Sequence, residues 1–62
     1  MKIGDCFHNK YINTVYKIVK VFPNNRYSCN VYYNNRFVGI LSESKSKLKE
    51  MRKLSSLEKE LM

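Results

Sequence analysis

A chain of 62 residues has room for one domain with one small core, a size at which only about 60% of the unfolded surface is buried. Two cysteines exclude a disulfide framework, and apolar runs broken by lysines exclude a membrane span, so stability must come from packing or self-association. Twelve Lys and Arg against five acids give a formal charge of +7, which suits nucleic acid or an acidic protein surface as partner.

Residues 2–8 (KIGDCFH) read as a short first strand with a bend at Gly4-Asp5, and residues 9–13 as a loop or brief extended segment. Thr14–Phe22 (TVYKIVKVF) is dense in β-branched and aromatic residues and stops at Pro23-Asn24-Asn25, a turn cluster. Arg26–Tyr33 (RYSCNVYY) is a third strand, Asn34-Asn35 a two-residue hairpin loop, and residues 37–41 (FVGIL) a fourth strand.

A regular ladder around Asn34-Asn35 sets Tyr32 opposite Phe37, Val31 opposite Val38 and Cys29 opposite Ile40. Tyr27, Cys29, Val31, Val38 and Ile40 then form a core face, with Ser28, Asn30, Tyr32, Phe37, Gly39 and Leu41 on the other. Residues 14–22 are apolar in both phases, so this strand is expected to be covered on both sides. Which phase meets the core depends on whether the Pro23 loop holds an odd or even number of residues.

Beyond Leu41 the period changes. Ser42 or Ser44 suits an N-cap, and Leu48, Met51, Leu54, Leu57 and Leu61 recur at helical spacing, predicting a helix over residues 43–62 packed on the sheet. Ser55-Ser56 followed by Glu58 is a second capping signal where that helix can break. The expected architecture is a single α+β domain over 1–62: a small antiparallel four-stranded sheet or barrel over 2–41, then one C-terminal helix. The Gly4-Asp5-x-Phe7 opening and the short meander resemble small barrels of the Src-homology-3, Tudor and KOW kind. The β4-α order also resembles whirly-type domains that bind single strands and dimerise through their helices.

No paired carboxylates, nucleophile–base signature or Gly-rich phosphate loop can be assembled, so no enzyme is expected. Asp5, Cys6 and His8 are neighbours that Cys29 could join, but the chain lacks a Cys-x-x-Cys element, so neither metal nor other cofactor is expected. The aromatic content is more informative. Five Tyr and three Phe lie among bases, and Tyr16, Tyr32 and Phe37 can share the face of Asn30, flanked by Arg26 and Arg36. Aromatics stack on bases while cations hold phosphates; cross-strand aromatic pairs also simply stabilise sheets.

Lys45–Lys49 opens a basic stretch whose charge opposes the helix dipole unless an external anion offsets it. The expected binding residues are Lys17, Arg26, Tyr32, Arg36, Phe37, Lys45 and Lys49. Leu54, Leu57 and Leu61 are the expected dimer interface. Two function classes emerge: a cytoplasmic module that binds nucleic acid or a nucleic-acid-bound bacterial protein, and a protein-binding inhibitor of a bacterial enzyme or defence nuclease, anti-CRISPR-like. The abundance of Lys, Asn, Tyr and Ile fits AT-rich coding in a phage or mobile element of a low-GC bacterium, which could produce the positive charge without selection for binding.

Overall fold

The computed structural model describes residues 1–60. Strands β1 (Cys6–Asn9), β2 (Thr14–Phe22), β3 (Arg26–Tyr33) and β4 (Arg36–Ser44) form an antiparallel meander. Its reversals rest on asparagine. Asn24 and Asn25 take φ of 64° and 57°, and Asn34 and Asn35 take 51° and 62°, a left-handed conformation that asparagine enters more readily than most residues. The Pro23-Asn24-Asn25 loop thus holds an odd number of residues between Phe22 and Arg26.

The chain after β4 departs from the single expected helix. Helix α1 (Lys45–Lys49) is capped by Ser44, whose Oγ accepts from the Lys47 N–H at 3.2 Å. Strand β5 (Arg52–Lys53) comes next and pairs with β1, before helix α2 (Ser56–Glu60). The capping signal at Ser55 explains the break. Ser55 N–H donates to Glu58 Oε1 at 3.0 Å, and Glu58 N–H donates to Ser55 Oγ at 3.2 Å, a reciprocal box that starts a new helix. Ser55 N–H and the Arg52 guanidinium hold the Glu58 carboxyl below its usual range.

The sheet is therefore five-stranded, in the order β4-β3-β2-β1-β5, and its edge strands β4 and β5 are not paired with each other. The class is α+β.

Two β-bulges decide which side chains are buried. In β2, Val19 is extra: Ile18 pairs with Cys29 and Lys20 with Ser28. Before the bulge Tyr16 and Ile18 face the core; after it Val21, and not Phe22, shares the face of Tyr27. In β4, Val38 is extra: Tyr32 pairs with Phe37 as expected, but Val31 pairs with Gly39 and Cys29 with Leu41. The expected core positions Val38 and Ile40 are consequently exposed. Beyond the bulge a one-residue shift transfers every side chain to the opposite face.

The core joins Phe7, Tyr16, Ile18, Tyr27, Cys29 and Leu48, with Val31 and Met51 at its margin. Leu48 is the side chain by which α1 closes this face, and it is 0% exposed. Cys6 and Leu54 are buried outside that cluster, where Leu54 N–H donates to Cys6 C=O at 2.9 Å. Leu54 is therefore part of the protomer's own packing and not free to form a dimer interface. Leu57 is exposed, and Leu61 lies outside the described residues.

Candidate functional site

Opposite the core, the outer face of the sheet carries Cys6, Lys17, Asn30, Tyr32 and Phe37, by the pairing of Cys6 with Lys17, Lys17 with Asn30 and Tyr32 with Phe37. The rings of Tyr32 and Phe37 meet edge to face with centroids 6.0 Å apart, a favoured aromatic geometry. Beside them opens a groove of about 510 Å³ lined by Gly4, Cys6, Lys17, Tyr32, Asn35 and Lys59. Lys59 reaches it from α2, its Nζ donating to Gly4 C=O at 3.5 Å.

The floor of the groove is chemically quiet. Burial pushes the Cys6 thiol upward in pKa despite the nearby charges of Lys17 and Lys59, and its Sγ–H donates to Gly4 C=O at 3.6 Å. A protonated, buried thiol is a poor nucleophile. The rim contributes two cations and an aromatic ring, and no acid lines the groove. Asp5 lies nearby but is occupied. Burial raises its pKa, yet the Lys2 N–H bond at 3.0 Å and the Lys53 ammonium at 3.5 Å outweigh this and hold the carboxyl below its usual value.

The expected binding residues fall into separate groups. Lys17, Tyr32 and Phe37 come together. Arg26 shares the outer face but lies six residues along β3 from Tyr32, roughly 20 Å away at strand rise. Its guanidinium donates to Ser42 C=O and Oγ at 3.2 and 3.1 Å. Arg36 pairs with Tyr33, and so alternates to the face opposite Tyr32 and does not flank the aromatic pair. Lys45 and Lys49 line a shallow depression with Asn24 and Asn25 at the Arg26 end of the sheet. Tyr16 belongs to the core, with 4% exposure. Lys59, Asn35 and Cys6 were not anticipated. The cue for Lys59 was the Ser55–Glu58 box, because only a helix restarted there returns to Gly4.

Cys29 does not join Cys6 and His8: it pairs with Ile18 on the core face, whereas Cys6 pairs with Lys17 on the outer one. Among the described residues no group of three or more His, Cys, Asp or Glu could hold a metal ion. No helix among them is long and apolar enough to cross a membrane.

A second groove, of about 450 Å³, lies between the β1–β2 loop and the segment after α1, lined in part by His8, Lys10, Tyr11, Lys47, Glu50 and Arg52. Its Arg52 is already paired with Glu58 at 2.6 Å, and Glu50 adds a negative charge. For an anion it is the poorer site.

Comparison with protein-family models, curated proteins and solved structures finds no match to this chain. Its function rests on its own geometry.

Proposed function

We propose that this protein is a non-catalytic binding module that holds single-stranded nucleic acid, free or within a protein complex, on the outer face of its sheet. The observation that carries the reading is the acid-free groove in which Lys17 and Lys59 stand beside Tyr32, itself backed by Phe37. The half-buried Tyr32 ring, where it lines the groove, offers a base a stacking surface of any sequence, while two ammonium groups offset phosphates. The overall charge of +7 would draw a polyanion toward the molecule. We further infer that the fold is an SH3-like small barrel. The support is topological: a four-stranded meander, a short helix, and a last strand that returns to pair with the first.

Fluorescence anisotropy with labelled single- and double-stranded oligonucleotides at two salt concentrations tests the function. Binding should weaken as salt rises, with a log–log slope near −0.7 per phosphate neutralised on a single strand. Tyr32→Ala should cost about 1–3 kcal/mol of affinity, and Lys17→Glu should reduce both affinity and slope. Absence of binding at low salt would remove the reading.

One observation favours a protein partner instead. Tyr11 and Ile12 are exposed side by side at the tip of the β1–β2 loop, with Lys10 Nζ 5.4 Å from the Tyr11 ring centre. An inhibitor that docks on a bacterial enzyme could present such a tip. In that case Tyr11→Ala, and not Tyr32→Ala, should abolish capture of the target.

A further inference from the structure

Strand β4 is nine residues long, lies at the edge of the sheet, and carries no charge between Phe37 and Ser42. Phe37, Val38, Ile40 and Leu41 are all exposed, Ile40 at 67%. A long uncharged edge strand is a template for another strand, and proteins ordinarily blunt it with lysine, proline or a short length. Here the bulge at Val38 is the one such device, and it leaves Gly39 through Ser44 in regular pairing with β3.

We propose that the occupant of this edge is a second copy of the chain, its β4 antiparallel to the first across a two-fold axis through Ile40. Self-complementarity carries the argument. A two-fold axis perpendicular to the sheet keeps each face continuous, so paired residues must lie on the same face. Rungs can be counted by the pairing with β3, in which Val38 occupies none. Ile40 then meets its own copy, Gly39 meets Leu41, Phe37 meets Ser42, and Arg36 meets Glu43.

Each pair shares a face. Arg36, Gly39, Leu41 and Glu43 lie opposite Tyr33, Val31, Cys29 and Tyr27, and Phe37, Ile40 and Ser42 opposite Tyr32, Asn30 and Ser28. The two ends of the seam each join an arginine to a glutamate, and neither side chain has an ion-pair partner within the protomer among the described residues. Gly39 has nothing within 4 Å of where a Cβ would stand, which leaves room for the second copy's Leu41. Without the extra residue Val38, Arg36 would fall opposite Ser44 and the charge match would be lost.

The pairing also extends the outer face. Arg26 is held against Ser42, and Ser42 of one copy lies opposite Phe37 of the other. Each aromatic pair thus gains a guanidinium from its neighbour that its own protomer places at the far end of the sheet.

Sedimentation of the purified chain in low salt should give twice the 7.4 kDa chain mass. Ile40→Lys sets like charges on the axis and should raise the dimer dissociation constant about tenfold or more. Arg36→Glu and Glu43→Arg should each weaken it about tenfold, since each reverses two pairs, and the combined reversal should regain wild-type association to within about threefold. Under oxidation Ile40→Cys should form a disulfide-linked dimer, whereas Ile12→Cys, also exposed but on the β1–β2 loop, should not. A chain that stays monomeric at high micromolar concentration overturns the proposal. So does a folded double reversal that does not associate, or an Ile40→Cys variant that cross-links no faster than Ile12→Cys.

Discussion

Replacing Leu48 by alanine tests the claim that the C-terminal third is not one amphipathic helix but a short helix with a single buried anchor. Leu48 is 0% exposed, whereas Leu57, on the same apolar stripe of the sequence, is 67% exposed. Leu→Ala removes three carbons, worth about 0.8 kcal/mol each in transfer, and the cavity left behind brings the loss to about 2.7–5 kcal/mol. A chain of 62 residues at about 0.05–0.15 kcal/mol per residue has roughly 3–9 kcal/mol to lose. Leu48→Ala should therefore remove a third or more of the stability, while Leu57→Ala should stay within about 0.5 kcal/mol of wild type. With no tryptophan and five tyrosines, urea unfolding is best followed by circular dichroism and tyrosine emission. At a slope of about 1 kcal/mol per molar, the Leu48 variant should lose about 3 M in midpoint or be unfolded without urea. Equal midpoints for the two variants would refute the reasoning.

Two further outcomes concern the strands themselves. Asn35 sits at φ 62°, so Asn35→Val should lower stability by about 1–2 kcal/mol, while Asn35→Gly should leave it unchanged or raise it, both read from thermal melts. Burial, with a smaller push from Glu43, raises the Cys29 thiol from 9.0 to about 11. The folded state thus keeps its proton where the unfolded chain has lost it. The thiol's contribution is intact below pH 9 and is lost between pH 9 and about 11, so stability should fall through that window. Cys29→Ala should cost on the order of 1 kcal/mol at neutral pH and flatten the alkaline fall.

The strands and their turns were legible because β-branched and aromatic runs end at asparagine pairs, and Tyr32 facing Phe37 came directly from the two-residue loop. The burial pattern beyond Tyr32 was not, because a bulge leaves no mark on composition. Val19 and Val38 look like any strand valine, yet each reverses the phase of the residues after it, and so Ile40 is exposed while Leu41 shares the face of Cys29. The C-terminal segment was legible in its caps and misleading in its period. Leu48, Met51 and Leu54 keep helical spacing although Arg52–Lys53 is a strand, because pairing with Phe7 and His8 overrides local preference. The binding face was half legible. Lys17 and Tyr32 were both expected to bind, but the phase of residues 14–22 was open, so the pattern sets Tyr16 beside Tyr32 where the structure sets Lys17. Nor could periodicity measure the distance to Arg26.

The two rungs of β5 also set the order in which the molecule assembles and comes apart. The meander closes across loops of four, three and two residues, short enclosures that form quickly. Phe7 with Lys53, His8 with Arg52, the bond from Leu54 to Cys6, the Lys53–Asp5 ion pair and the long Lys59–Gly4 bond join the two ends of the chain. Closing so long a stretch costs more chain entropy than any other step, and a few short-strand and partly exposed polar contacts repay it. The end of the chain thus behaves as a clasp: last to fasten during folding, first to slip afterwards. Each slip uncovers Leu54 and the Cys6 thiol while the tyrosine-lined core stays shut. Amide exchange and thiol labelling in this protein will therefore report two different lifetimes, a short one at Cys6 and a long one at Cys29.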